Sequence, residues 1–113
     1  MSIQAIFAHV SCADLKVSRP WYEKLFGKPP TREPMPGLLE WQFSDTAEVQ
    51  LFEDTQHAGH STLTLRVLPL EPGQRPVQAG LNPSPIHEAK DFFTLRLHDP
   101  DQNLIVLASA ERE

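Results

Sequence analysis

The stretch DPDQNLIVLA, from Asp99 to Ala108, joins a turn to a strand. Its first five residues are typical of chain reversal, because proline presets φ and because Asp and Asn side chains bond nearby backbone groups. Residues 104–108 are continuously apolar, which predicts a buried strand. The alternating segment DFFTLRLH, residues 91–98, precedes the turn. The two segments together predict a β-hairpin.

The order of elements before this hairpin occurs twice. Ile6 to Ala13 is predicted as a strand, and Asp14 as the N-cap of a helix that ends at Gly27 with an apolar stripe at Val17, Trp21 and Leu25. GLLEWQFS and AEVQLFED then predict a hairpin, before residue 55. STLTLRV is the corresponding second strand, and residues 70–80 stand in the position of the second helix. Prolines and a glycine limit that helix to one short turn. This repeated order predicts a duplicated βαβββ unit within a single domain, residues 1–113. The first module spans about 1–55 and the second about 60–110.

Sorting the strand residues by period two separates an apolar face from a polar face. The apolar set is Ala8, Val10, Cys12, Leu39, Trp41, Phe43, Val49, Leu51, Leu63, Leu65, Val67, Phe93, Leu95, Leu97, Ile105 and Leu107. The opposite set is His9, Ser11, Glu40, Gln42, Glu48, Gln50, Thr62, Thr64, Arg66, Thr94, Arg96 and His98, with Phe7, Phe52, Leu104 and Val106 as its apolar members. The first set predicts a core under the helices. The second is either a solvated outer face or the lining of a cleft.

Bulk composition excludes several classes of protein. A chain of 113 residues has the size of one domain, and its net charge of −5, without a basic cluster, argues against a nucleic-acid partner. No apolar run is long enough to span a membrane, and no secretory signal is visible at the N-terminus. A single cysteine excludes an intrachain disulfide and is consistent with a reducing cytoplasm. We therefore expect a cytoplasmic domain.

The segments HVSCADLKVSRPWYEKLFG, GLLEW, AEVQLF, HSTLTLRV and DPDQNLIVLA together resemble the vicinal oxygen chelate superfamily. That superfamily includes glyoxalase I, bleomycin resistance proteins and extradiol dioxygenases. The resemblance covers nearly the whole chain and implies an α+β fold in which two βαβββ modules curve their mixed sheets around a cleft. In two features the chain departs from the family pattern, since Gln102 replaces the usual turn glycine and the second helix is shortened. The fold hosts unrelated chemistries, so the resemblance does not decide function.

The metal enzymes of this superfamily place a His, Gln or Glu ligand on each of four strands. The resemblance carries these positions onto Phe7, Gln50, Thr62 and Val106. Gln50 alone is a suitable metal ligand, because phenylalanine and valine have no donor atom and threonine is a poor ligand. We therefore expect no metal and no other cofactor, and we assign no catalytic residue. A shifted set of ligands, His9, Gln50, His98 and Glu48, remains an alternative.

The sequence therefore predicts a protein that binds a small polar or anionic molecule, and it leaves open whether the protein is an enzyme. The predicted ligand-binding residues are Phe7, His9, Gln42, Gln50, Thr64, Arg66, Arg96, His98 and Val106. Two alternatives stay open. One is a metal-dependent lyase, isomerase or dioxygenase with the shifted ligands, and the other is a drug-sequestering resistance protein in which Glu40 and Glu48 hold a cation. Family members commonly pair, so we expect a homodimer, with no nucleic-acid or membrane partner.

Overall fold

The computed structural model describes residues 1–68 and 80–111. Within them the chain forms two four-stranded mixed sheets and one helix, and the elements are β1 (Ile6–Cys12), α1 (Leu15–Phe26), β2 (Arg32–Met35), β3 (Leu38–Ser44), β4 (Ala47–Glu53), β5 (Thr62–Arg66), β6 (His87–Ala89), β7 (Phe92–His98) and β8 (Leu104–Ser109). The strand orders are β1-β4-β3-β2 and β5-β8-β7-β6. This agrees with the predicted α+β fold. The prediction of a shortened second helix concerns residues 70–80, which lie outside the described residues except for Gly80.

The two sheets repeat the same arrangement of strands. In each, the first strand pairs parallel with the last strand, and the remaining pairs are antiparallel. Gly27 and Gly80, which the repeat places at equivalent positions, both have a left-handed backbone, with φ of 74° and 75°. The edge strands β1 and β5 are in contact, so the two sheets meet there. The second strand of each unit, β2 or β6, is short and was not predicted from the sequence.

Most of the core comes from the predicted apolar set, but Phe43 is exposed, and Ser11, Glu40 and Glu48 of the polar set are buried. The buried apolar residues include Val10, Trp41, Leu51, Leu95 and Ile105, all from the predicted apolar set. Trp41 is fully buried, and its indole N–H donates to the carbonyl of Lys28. Phe43, in contrast, is 47% exposed. The Lys28 ammonium lies 4.8 Å from its ring centroid, an interaction that suits an exposed aromatic ring.

The predicted caps of α1 are confirmed, but its buried stripe is different. The Asp14 carboxylate accepts from the backbone N–H of Lys16, and the N–H of Gly27 bonds the carbonyl of Glu23. The buried helix residues are Ser18, Tyr22 and Leu25. Leu25 is buried and Trp21 is partly buried against the core, as predicted, but Val17 is 56% exposed, so the predicted stripe was wrong at Val17.

The reason is a buried polar cluster that ties α1 to the turn between β7 and β8. The Tyr22 hydroxyl donates to Asp99 Oδ2 at 2.5 Å, and the Asn103 side-chain amide donates to the same oxygen at 2.8 Å. Asp99 Oδ1 accepts from the backbone N–H groups of Asp101 and Asn103. The Asn103 amide also donates to the carbonyl of Ser11 in β1. We call Tyr22, Asp99 and Asn103 the inter-module cluster.

The turn that supplies Asp99 keeps a left-handed residue although it lacks glycine. Gln102 has φ of 71°, and its N–H donates to the Asp99 carbonyl at 2.9 Å. A left-handed backbone is energetically unfavourable for a residue with a side chain, whereas glycine adopts it without this cost. The four hydrogen bonds to the Asp99 carboxylate fix this turn.

Candidate functional site

The polar face of the first sheet is organised around a guanidinium that the sequence analysis did not identify. Glu40 and Glu48 are only 5% and 9% exposed, on β3 and β4. Arg32, on β2, donates from Nη1 to Glu40 Oε1 at 3.0 Å and forms a second ion pair with Glu48. Its other terminal nitrogen donates to Gln42 Oε1 at 3.2 Å. One cation therefore holds two buried carboxylates, which accords with the rule that buried charges are paired.

The same network continues to His9 on β1. Gln50 Nε2 donates to Glu40 Oε2 at 2.7 Å, which leaves Gln50 Oε1 as an acceptor, 3.1 Å from His9 Nδ1. Because an amide oxygen only accepts, His9 must carry its hydrogen on Nδ1 in this bond. The Gln50 hydrogen bond, followed by those of the Arg32 guanidinium, holds the pKa of Glu40 below its ordinary value, against the opposing effect of burial.

The polar face of the second sheet carries positive charge without a carboxylate partner among the described residues. Register places Arg66 beside Ala108, and Arg96 beside Val106, whose other neighbour is Thr64. Both arginines are exposed, and the ion pairs of the described chain include neither of them. The two guanidiniums thus share one face, two strands apart, with short or apolar residues between them.

His98 also lies on this face, beside Leu104. Its ring is exposed at the end of β7, and no hydrogen bond joins it to another described side chain. The predicted ligand-binding residues therefore lie in two groups. His9, Gln42 and Gln50 belong to the network around Arg32, and Thr64, Arg66, Arg96, His98 and Val106 share the face of the second sheet.

Of the four positions that correspond to metal ligands, only Gln50 carries a suitable donor, and both ends of its amide are engaged. Phe7 is 45% exposed beside Glu48. Thr62 lies beside Leu104 on β8, and Val106 lies beside Thr64 on β5. The shifted set is not assembled either, since the described residues contain no group of three or more His, Cys, Asp or Glu side chains placed to hold a metal ion. Glu48 is instead paired with Arg32.

A cavity of about 620 Å³ lies where the first sheet and α1 meet β5. Most of its walls come from the apolar set and from the end of α1, including Leu25, Phe26 and Leu63. Its polar lining residues include Glu48, Thr64 and Arg66. The cavity is therefore lined mainly by the apolar set, with residues of both polar faces at its margin.

Two further groups have structural explanations. Cys12 is fully buried, and burial raises the pKa of its thiol to about 11, so it is protonated at neutral pH and is not a nucleophile. The His57 ring nitrogen Nδ1 lies 2.6 Å from Asp54 Oδ2 in the loop before β5, and this contact lowers the pKa of the Asp54 carboxyl.

Arg32 was missed because β2 was missed. The segment TREPMPG contains two prolines, and proline weakens a prediction of strand because it cannot donate to the sheet. β2 is an edge strand of its sheet, where proline is tolerated, and Arg32 pairs in register with Glu40. The signal available was the repeat itself, because a βαβββ unit needs one more strand before the hairpin.

Comparison with solved structures identifies the fold. A glyoxalase/bleomycin resistance protein from Catenulispora acidiphila is 26% identical, with a TM-score of 0.85 over 94% of this chain and 97% of that one. One from Albidiferax ferrireducens is 18% identical, with a TM-score of 0.69 over 91% and 95% of the two chains. A lactoylglutathione lyase from Agrobacterium tumefaciens is 11% identical, with a TM-score of 0.68 over 92% and 91%.

No protein-family model and no curated protein sequence matches this chain. The structural matches agree with the resemblance seen in the sequence motifs, and the chain belongs to the vicinal oxygen chelate superfamily. Among the described residues, no helix has both the length and the apolar character needed to cross a bilayer.

Proposed function

We propose that this protein binds a small anionic molecule without a metal ion, through Arg66 and Arg96. The observation that carries the proposal is the pairing of Arg32 with both Glu40 and Glu48. These carboxylates were the residues most able to neutralise the other arginines, and they have a cation of their own. Arg66 and Arg96 therefore have no carboxylate partner among the described residues, and their guanidinium groups are available to bind an anionic ligand.

The chemistry of these residues supports an anion over a cation. A guanidinium presents a planar set of donors that matches a carboxylate or phosphate, and it stays charged at all physiological pH values. The polar faces carry three arginines and two glutamates, so their charge is positive before any histidine is protonated. A drug-sequestering site for cations would require an acidic excess. Ordered amides such as Gln42 and Gln50 would add orientation to the recognition of a polar ligand.

A thermal-shift panel tests the proposal. Small carboxylates, phosphates and amines are compared on the wild type and on Arg66→Ala/Arg96→Ala. A ligand at about 100 times its Kd adds roughly 2.7 kcal/mol to the free energy of unfolding, so we expect a rise in Tm with an anion in the wild type only. Arg19→Ala is the matched control, because Arg19 lies on the exposed side of α1 in an ion pair with Glu23. Stabilisation by amines alone, or an equal response of the double variant, would refute anion binding at these arginines.

We also propose that the protein is a cytoplasmic homodimer that carries no metal. Large apolar side chains stay exposed on the described surface, among them Ile6, Phe7, Met35 and Phe92, and a partner chain could cover some of them. The ligand positions Phe7, Thr62 and Val106 argue against a metal ion, as does the engagement of Gln50.

Native mass spectrometry of protein purified without chelators measures both properties together. We expect the mass of two chains with no divalent ion. A monomer at micromolar concentration would contradict the dimer. About one metal ion per chain, lost in Gln50→Ala, would instead favour the metal-dependent alternative.

A further inference from the structure

The cavity beside β5 combines a largely apolar wall with a fixed positive charge. Phe26 and Leu63 line it from opposite modules, and Val49 and Leu107 line it from the last strand of each sheet. Its volume of about 620 Å³ falls within the range of roughly 300–1,000 Å³ typical of small-molecule sites. A small hydrophilic anion would leave most of this apolar wall in contact with water.

The charged side chains of the cavity differ in how they are engaged. Glu48 is paired with Arg32, which offsets its charge. Arg66 has no carboxylate within ion-pair distance among the described residues, and Thr64 lies two positions before it on the same face of β5. Among the charged lining residues, Arg66 is therefore the one without a carboxylate partner in the described part of the chain.

We propose that the ligand of this cavity is an amphiphilic carboxylate, with its apolar body against the walls and its carboxylate on Arg66. The proposal rests on the proposed function, because it specifies the class of anion that the same arginine binds. A molecule of this kind satisfies both observations, since apolar burial and a guanidinium–carboxylate pair are each favourable and lie within one cavity.

The test is a series of linear carboxylates with four, six, eight and ten carbons, measured by isothermal titration calorimetry on the wild type. Burial of one methylene contributes about 0.8 kcal/mol, so the Kd should fall about fourfold for each added methylene until the cavity is filled. The eight-carbon amine is the head-group control and should bind more weakly than the eight-carbon acid. Arg66→Gln should weaken every acid by a similar factor.

Two cavity-filling variants test whether the alkyl chain of the carboxylate lies in the cavity. Ala8 and Leu65 both line the cavity, and Ala8→Leu or Leu65→Phe should flatten the dependence on chain length. Ala110→Leu is the matched control, because Ala110 is exposed outside the cavity, and it should keep the dependence. If one of these two filling variants does not fold, the other still provides the test.

The possible outcomes separate this inference from the proposed function. If short carboxylates bind through the arginines but longer ones gain nothing, the amphiphilic ligand is wrong and anion binding stands. If both filling variants fold and the Kd still falls with each added methylene as in the wild type, the alkyl chain of the ligand does not occupy this cavity and the inference is wrong. If no carboxylate of any length binds while a phosphate does, the inference alone fails, and if no anion binds, both fail.

Discussion

Asp99→Ala is expected to reduce the free energy of unfolding by roughly 4 kcal/mol or more. The Asp99 carboxylate is 1% exposed and accepts four hydrogen bonds, from Tyr22, from the Asn103 side chain and from two backbone N–H groups. Each buried donor left without a partner costs about 1–3 kcal/mol. Because a domain is typically stable by only 5–15 kcal/mol, this loss would leave the protein close to unfolding. Urea denaturation monitored by tryptophan fluorescence measures it.

Two variants show whether the loss comes from the inter-module cluster. Asp45→Ala removes the same group from an exposed hairpin turn and should change stability by no more than about 0.5 kcal/mol. Tyr22→Phe removes a single donor and should cost less than Asp99→Ala, about 1–2 kcal/mol. Burial, together with the nearby Asp99 charge, raises the pKa of Tyr22 well above its ordinary value, so its hydroxyl remains a donor at all accessible pH values. An Asp99→Ala protein as stable as Asp45→Ala would show that the cluster does not hold the modules together.

Arg32→Gln is expected to weaken anion binding on the order of tenfold at neutral pH. The variant removes the cation that offsets Glu40 and Glu48 and leaves two nearly buried carboxylates, of which Glu48 lines the same cavity as Arg66. Uncompensated negative charge opposes an incoming anion, and it is screened less near a protein surface than in bulk water. Calorimetric titration with the best anion of the thermal-shift panel measures the change.

The effect of this substitution should depend on pH with a definite sign. In the wild type the pKa of Glu40 lies below its ordinary value of 4.5, so its ionised form stabilises the fold above that pH and the contribution is lost on acidification. Arg32→Gln keeps the hydrogen bond from Gln50, which is the largest cause of the lowered pKa, and loses the part of the stabilisation that comes from Arg32. The difference in Tm between wild type and variant should therefore shrink as the pH falls below about 4.5. Anion affinity should recover over the same interval as the Glu40 carboxyl becomes protonated.

Arg32→Lys separates charge from geometry. Lysine keeps the positive charge but lacks the fork of donors that reaches Glu40, Glu48 and Gln42 together. We expect it to retain most of the anion affinity while losing some stability. If Arg32→Gln binds anions as tightly as the wild type at pH 7, the two glutamates do not influence the ligand site and the proposed role of Arg32 fails.

The sequence by itself determined the elements that depend on local chemistry and on alternation. Asp14 and Gly27 bound a helix because one caps its N-terminus and the other accepts a left-handed backbone. Period-two sorting placed Trp41 and Leu51 inside, because successive strand residues must point to opposite faces. Motifs spread along the chain indicated the family, and the structural matches agree.

Only the tertiary structure decided which polar groups meet. The choice of Tyr22 over Trp21 as the buried helix residue follows from Asp99, which lies 77 residues away in the chain. Arg32 joins Glu40 and Glu48 because β2 pairs with β3, and a proline-rich edge strand leaves little trace in local propensity. Likewise, the cavity brings Arg66 together with apolar residues of the other module. Hydrophobic sorting is a property of each strand and can be predicted from its residues. A hydrogen bond or ion pair between modules requires the position of both partners, which folding alone supplies.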